Sequence, residues 1–213
     1  MTRGDTAPTR PRGGLADKRR AILAGALTVF ARDGYTRTSL DAISAAAGVS
    51  TRTIYNHFTD KARLFQAVIQ ESATRAADAQ IAIIDRHLTK VVDLEADLVE
   101  FGLAFTAPTA AEHAEHFALV HQINAEAGHI PQPAIDAWQE TGPLRVRRAL
   151  AAHLGRLTER GLLEVADPDR AAVHLLLLIS VADPSYRGAV PTREAISETV
   201  AAGVRVFLRG YLR

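Results

Sequence analysis

Between Thr51 and His57 the chain sets hydrogen-bonding side chains at every position except Ile54: Thr51, Arg52, Thr53, Tyr55, Asn56 and His57. At helical spacing one inward apolar residue can seat so short a segment, and the polar groups are left facing outward. Short hydroxyls, a guanidinium, a carboxamide and two polar aromatics are the groups that pair with base edges and phosphates in a DNA major groove. Charge points the same way. Residues 1–70 carry eleven Lys/Arg against five Asp/Glu, whereas the rest carry fourteen against nineteen. The net +1 therefore hides a basic first third on an acidic body, and only the first third is suited to a polyanion.

Other chemistry is poorly supported. Glu112-His113-Ala114-Glu115-His116 with His121 is the densest histidine cluster, and His113 and His116 fall near one another on a helix. The H-E-x-x-H spacing is missing and no third ligand is identifiable, so no metal is expected. A metal-dependent helical hydrolase is the competing reading, separable by metal analysis. No cysteine is present, which excludes disulfides, thiolate metal sites and cysteine nucleophiles. No phosphate-binding glycine loop and no nucleophile elbow occurs, so neither an enzyme nor a cofactor is expected. The N-terminus lacks an apolar leader, and the longest apolar-rich run, Ala171–Ala182, is too short to span a bilayer. The expected setting is the cytoplasm, with no membrane partner.

The elements that must carry these groups read as helices. Residues 1–16 form a basic arm with Arg3, Arg10 and Arg12, broken by Pro8, Pro11, Gly13 and Gly14. Ile22, Leu23, Ala26, Leu27 and Phe30 then mark a first helix ending at Gly34. Thr38 opens a second, with Asp41 completing a capping-box pattern, and Leu40 and Ile43 turn inward. Gly48 ends it, and Ser50 caps a third helix running from Thr51 to about Phe58. Asp60 starts a long fourth helix whose apolar stripe runs from Leu64 to Ile84. Further helical stretches fall at about 88–105, 110–127, 134–160, 169–182 and 192–212, with Gly142-Pro143 bending or interrupting the seventh helix, 134–160. The fold class is all-α with about nine helices.

From Thr38 to Phe65 the chain reads T-S-L-D-A-I-S-A-A-A-G-V-S-T-R-T-I-Y-N-H-F-T-D-K-A-R-L-F. Two short helices cross at small residues around a glycine turn. The spacing of Thr38, Ile43, Ala46, Gly48-Val49-Ser50, Ile54-Tyr55-Asn56-His57-Phe58 and Lys61-x-x-Leu64-Phe65 resembles the DNA-binding domain of the tetracycline-repressor (TetR) family of bacterial transcription regulators. The resemblance implies a helix-turn-helix domain over 17–64 and a helical regulatory and dimerisation domain over 65–213. It implies phosphate contacts from Thr38, Arg37 and Lys61, base contacts from Ser50, Thr51, Arg52 and Thr53, and backbone bracing by Tyr55 and His57. Asn56 suits adenine or phosphate, and the sequence does not separate the two.

By the same resemblance the protein is a repressor that binds a near-palindromic operator as a homodimer and is released by a small-molecule effector. Phe101, Phe105, Phe117 and Trp138 are candidates for the aromatic wall of an effector cavity, with His121 and Asn124 as polar anchors. Residues 173–179 are apolar nearly all round, and Ile196, Val200, Val204, Phe207 and Tyr211 share a broad face. Two copies packed as a four-helix bundle would bury Leu175, Leu176 and Ile179 together with that face.

Overall fold

The apolar positions close into two cores threaded on one helix. The computed structural model describes residues 14–107, 111–180 and 191–212. The helices are α1 (Leu15–Arg37), α2 (Leu40–Ala47), α3 (Thr51–Tyr55), α4 (Lys61–Leu88), α5 (Leu94–Thr106) and α6 (Ala111–Ala125). After a 3₁₀ turn at Ala127–His129 come α7 (Gln132–Thr141), α8 (Pro143–Glu159), α9 (Pro168–Leu178) and α10 (Arg193–Tyr211). Only Gly142 separates α7 from α8; counted as one interrupted element, the pair gives nine helices among the described residues, in line with the about nine expected. Among the described residues no helix is long and apolar enough to cross a membrane. The arm residues Arg3, Arg10 and Arg12 lie outside the described residues.

The first core joins Ile22, Ala26 and Phe30 of α1 to Ile43 of α2, Ile54 of α3 and Leu64, Phe65, Val68 and Ile69 of α4. It does not stop at the helix-turn-helix. Leu119 and Ile123 of α6 and Ile130 and Ala134 beyond it pack into the same cluster, so the boundary expected at 64/65 runs through a shared core. The second core gathers Ile84 and Leu88 of α4, Leu98 and Phe101 of α5, Leu150 and Leu154 of α8, Leu175 of α9 and Val200, Val204 and Phe207 of α10. Each large apolar side chain so buried is worth about 1.5–3 kcal/mol. With 28 residues α4 is about 42 Å long, and it contributes to both cores. Its start is fixed by Asp60, whose carboxylate accepts the Arg63 N–H at 2.8 Å.

One local expectation at the start of the helix-turn-helix is met and one needs correction. The regular run of α1 is broken at Gly34, where the backbone swings to φ 79°, and a short further turn leads to Arg37. Ser39, not Thr38, caps α2 by accepting the Ala42 N–H at 3.1 Å. Asp41 is then one residue too early for a capping box. Thr38 is buried, and its hydroxyl reaches back one turn to donate to the Gly34 carbonyl at 2.6 Å.

Most of the residues expected at a dimer interface are buried within the single chain. Leu175, Ile179, Val200, Val204 and Phe207 are at most 1% exposed, all spent on the chain's own core. Leu176, Ile196 and Tyr211 pack half-buried against it. The reason is the close approach of α10 to α9: a Cβ on Gly203 would overlap the Leu178 carbonyl oxygen. What the two helices leave outside is Leu177, 69% exposed, and Val206, 54% exposed, beside a His174–Tyr211 hydrogen bond of 2.7 Å. Gly203→Ala must push the helices apart and should cost about 1–3 kcal/mol, read as a lower urea midpoint with an unchanged slope. Undiminished stability would show that α9 and α10 do not meet at this glycine.

Candidate nucleic-acid interface

Only five residues of α3 are helical, so its cap and its anchors decide where it sits. Ser50 Oγ accepts the Thr53 N–H at 3.2 Å and shares a 2.9 Å hydrogen bond with Thr53 Oγ1. Ile54 and Phe58, 1% and 8% exposed, hold the segment on the first core. Arg52, Tyr55 and Asn56 are exposed, and Thr51, Thr53 and His57 are half-buried. Arg52 makes no ion pair among the described residues, so its guanidinium is available to an outside acceptor. One polar face is therefore carried on a fixed apolar foot.

A cation that sequence reasoning passed over joins this face. The Arg19 guanidinium stands 5.7 Å over the Phe58 ring, bringing the start of α1 beside the end of α3. Lys18 and Arg20 flank it, both exposed, with Arg20 paired to Asp17 at 3.4 Å. The signal was the Lys18-Arg19-Arg20 run itself, visible in the sequence but separated from the motif by a helix length. Arg37 is exposed, with Nε donating to the Asp33 carbonyl at 3.0 Å.

Two of the expected phosphate contacts are differently engaged. Thr38 is buried, as described. The Lys61 ammonium donates to the carbonyls of Tyr35, Thr36 and Thr38 at 2.9, 3.4 and 3.1 Å and lies 4.7 Å from the Tyr35 ring centre. A cation at the C-terminal end of α1 collects carbonyls left over by that helix, where its dipole is negative. Lys61 thus ties the start of α4 to the turn between α1 and α2. Burial raises the Tyr35 hydroxyl above the usual phenol range. The Arg63 N–H holds the Asp60 carboxyl below its ordinary value, so this cap is complete at neutral pH and is lost on acidification through the folded value.

The same turn is gripped from the other side by the segment after α6. The Glu126 carboxylate accepts the Thr36 N–H at 2.9 Å, and a Cβ on Gly34 would overlap it. Thr28 of α1 donates to Glu115 of α6 at 2.8 Å. Ser72 of α4 and His116 of α6 share a buried 2.9 Å hydrogen bond. His116 is thus a packing partner, His121 is exposed, and the His113 side chain lies outside the described residues. Among the described residues no group of three or more His, Cys, Asp or Glu is arranged to hold a metal.

The six expected effector residues do not share one wall. Phe101 is buried against Phe105 at 5.3 Å in the second core, whereas Trp138 is half-buried against the first. Because α6 turns Leu119 and Ile123 inward, Phe117, His121 and Asn124 fall on its outer faces and are exposed. A pocket of about 360 Å³, open to solvent on one side, lies between α4, α5, α8 and α9. Phe105, Val146, Leu176 and Ile179 give it apolar walls, and Gln80, Thr106 and Ser180 contribute polar atoms. Only Phe105 is common to the two sets. A polar Gln80 within the apolar stripe of α4 and the Gly142-Pro143 break were the signals available in the sequence.

Residues 22–68 match the family model of bacterial regulatory proteins, tetR family. Residues 96–213 match that of the AefR-like transcriptional repressor C-terminal domain. The chain is 38% identical over 79 residues to a DNA-binding transcriptional repressor of Mycobacteroides abscessus, 37% of each chain. It spans about a third of the length of the curated relatives it matches. Among solved structures, a protein of Mesorhizobium loti assigned to the TetR family superposes with a TM-score of 0.81 at 29% identity, covering 96% of this chain and 100% of that one. A flavonoid-responsive regulator superposes with a TM-score of 0.62 at 29% identity, covering 92% and 98%.

The geometry separates two roles for Lys61. As a tie between α1 and α4, its loss in Lys61→Ala strands partly buried carbonyls and should cost about 1–2 kcal/mol in urea unfolding. Unchanged stability with a flatter salt dependence of DNA binding would return Lys61 to the role of a phosphate contact.

Proposed function

Because this chain belongs to the tetR family of bacterial regulatory proteins, we propose that it is a repressor that grips a near-palindromic operator as a homodimer and lets go when a small molecule binds. That it is a DNA-binding transcriptional regulator follows from the family. The finer statements are our reading. The observation that carries it is the face of α3, where Arg52, Tyr55 and Asn56 stand exposed around the single buried Ile54. In this reading Arg52 grips a base edge with Thr51 and Thr53 beside it, and Ser50 acts through its cap. Tyr55, His57, Arg37 and Arg19 hold the backbone on either side, and Asn56 reads adenine or holds a phosphate. The helix-turn-helix unit extends through the first part of α4, and the second core forms the regulatory unit.

Two copies would meet through the exposed strip of α9 and α10, around Leu177 and Val206, rather than through the residues already spent in the chain's own core. An isologous contact of this kind sets two recognition helices about one DNA turn apart, roughly 34–36 Å for standard half-sites. The cavity between α4, α5, α8 and α9 is the effector site in this reading. The flavonoid-responsive relative is consistent with small-molecule control. A ligand there acts on α4, which enters both cores, and tenfold release of DNA needs only about 1.4 kcal/mol of coupling.

A fluorescence titration over genomic fragments tests the reading. Wild type should prefer particular fragments at moderate salt. Arg52→Ala should lose about 1–3 kcal/mol of that preference and relax it at one base position. A wild-type protein indifferent to sequence at moderate salt would contradict operator recognition.

A further inference from the structure

The composition of the cavity wall restricts what it can hold. Val146 and Ile179 are buried, and Phe105 and Leu176 are half-buried at its sides. None of the described residues lining it is ionisable. On the two helices nearest its polar side, Asp78 and Arg145 are paired with each other at 2.7 Å and so leave no charge for a ligand. An ion settling on this wall would give up part of its hydration and meet no counter-charge among the described residues, a loss that neutral polar groups offset poorly. A quaternary ammonium would also lack an aromatic cage, since Phe105 is the one aromatic side chain among the described lining residues.

The polar atoms set a second condition. Thr106 Oγ1 already donates to the Gly102 carbonyl at 2.7 Å, so toward the cavity it can only accept. Gln80 makes no hydrogen bond among the described residues, and its amide offers both a donor and an acceptor. A hydroxyl or an amide N–H on the ligand satisfies either residue. At protein packing density about 360 Å³ accommodates roughly fifteen heavy atoms.

We propose that the cavity selects an uncharged, largely apolar molecule of roughly fifteen heavy atoms with at least one hydroxyl or amide N–H, and discriminates against carboxylates and quaternary ammonium ions of the same shape. This rests on the reading of the cavity as the effector site. It defines the chemical class that the site takes, with Gln80 as the polar anchor.

Three probes on one biphenyl frame test it by calorimetry and thermal shift on the full chain at neutral pH: 4-hydroxybiphenyl, biphenyl-4-carboxylate and the biphenyl trimethylammonium ion. The phenol should bind and raise the melting temperature, and the two ions should bind at least tenfold more weakly. Gln80→Leu should weaken the phenol about tenfold. Leu176→Trp, or Val146→Phe if circular dichroism shows the first variant unfolded, should fill the cavity and abolish binding. An ion that binds as tightly as the phenol, and is lost in the filled variant, overturns the neutral class while leaving the effector site in place. Phenol binding that survives in folded, filled variants overturns the site itself. No binding of the phenol to wild type overturns the proposal.

Discussion

The corner that the chain turns after Gly34 orients everything the DNA-reading helices do. There α1 bends through a positive φ of 79°, and the next residues lead directly into the cap of α2. A turn of this kind exposes carbonyls and N–H groups that need partners. Lys61 supplies donors from the start of α4, and Glu126 supplies an acceptor from the end of α6. The Thr38 hydroxyl closes the remaining step back to Gly34. A glycine is required twice over at this corner, for the backbone angle and because the Glu126 carboxylate fills the space of a side chain.

The consequence is mechanical. The helix-turn-helix is not a module hanging from a linker; its core runs on through Leu119 and Ile123 of α6, Ile130 of the segment between, and Ala134 of α7. α4 carries the second connection, rising from Asp60 and Lys61 at the corner to Ile84 and Leu88 in the regulatory core. A displacement of α4 or α6 must therefore be accommodated at the same few hydrogen bonds. These bonds are individually worth about 1–3 kcal/mol with charged partners, the same order as the coupling that a tenfold change in DNA affinity demands.

The sequence made the helices legible because their periodicity is local. The Ser50 cap, the Asp60 cap, the apolar foot at Ile54 and the polar face beside it all follow from residues within one turn of each other. What it did not disclose depends on long-range pairing. Lys61 reads as a free cation until Tyr35, Thr36 and Thr38 are brought beneath it. Leu175, Val200 and Phe207 read as interface residues because an apolar face does not say whether its cover comes from the same chain. The spread of the expected effector residues over two cores and an outer face has a similar reason: aromatic type was legible, but the rotation of α6 about its axis, fixed by Leu119 and Ile123, was not.

The central claim is that the segment after α6 holds the corner through Glu126. Amide hydrogen exchange at Thr36, compared in wild type, Glu126→Gln and Glu126→Ala, tests it most directly. The Thr36 N–H should be protected in wild type and in the Gln variant, whose carboxamide oxygen still accepts, and should exchange at least about tenfold faster in the Ala variant. Equal exchange in all three proteins would contradict the claim and leave the corner held by Lys61 and Thr38 alone.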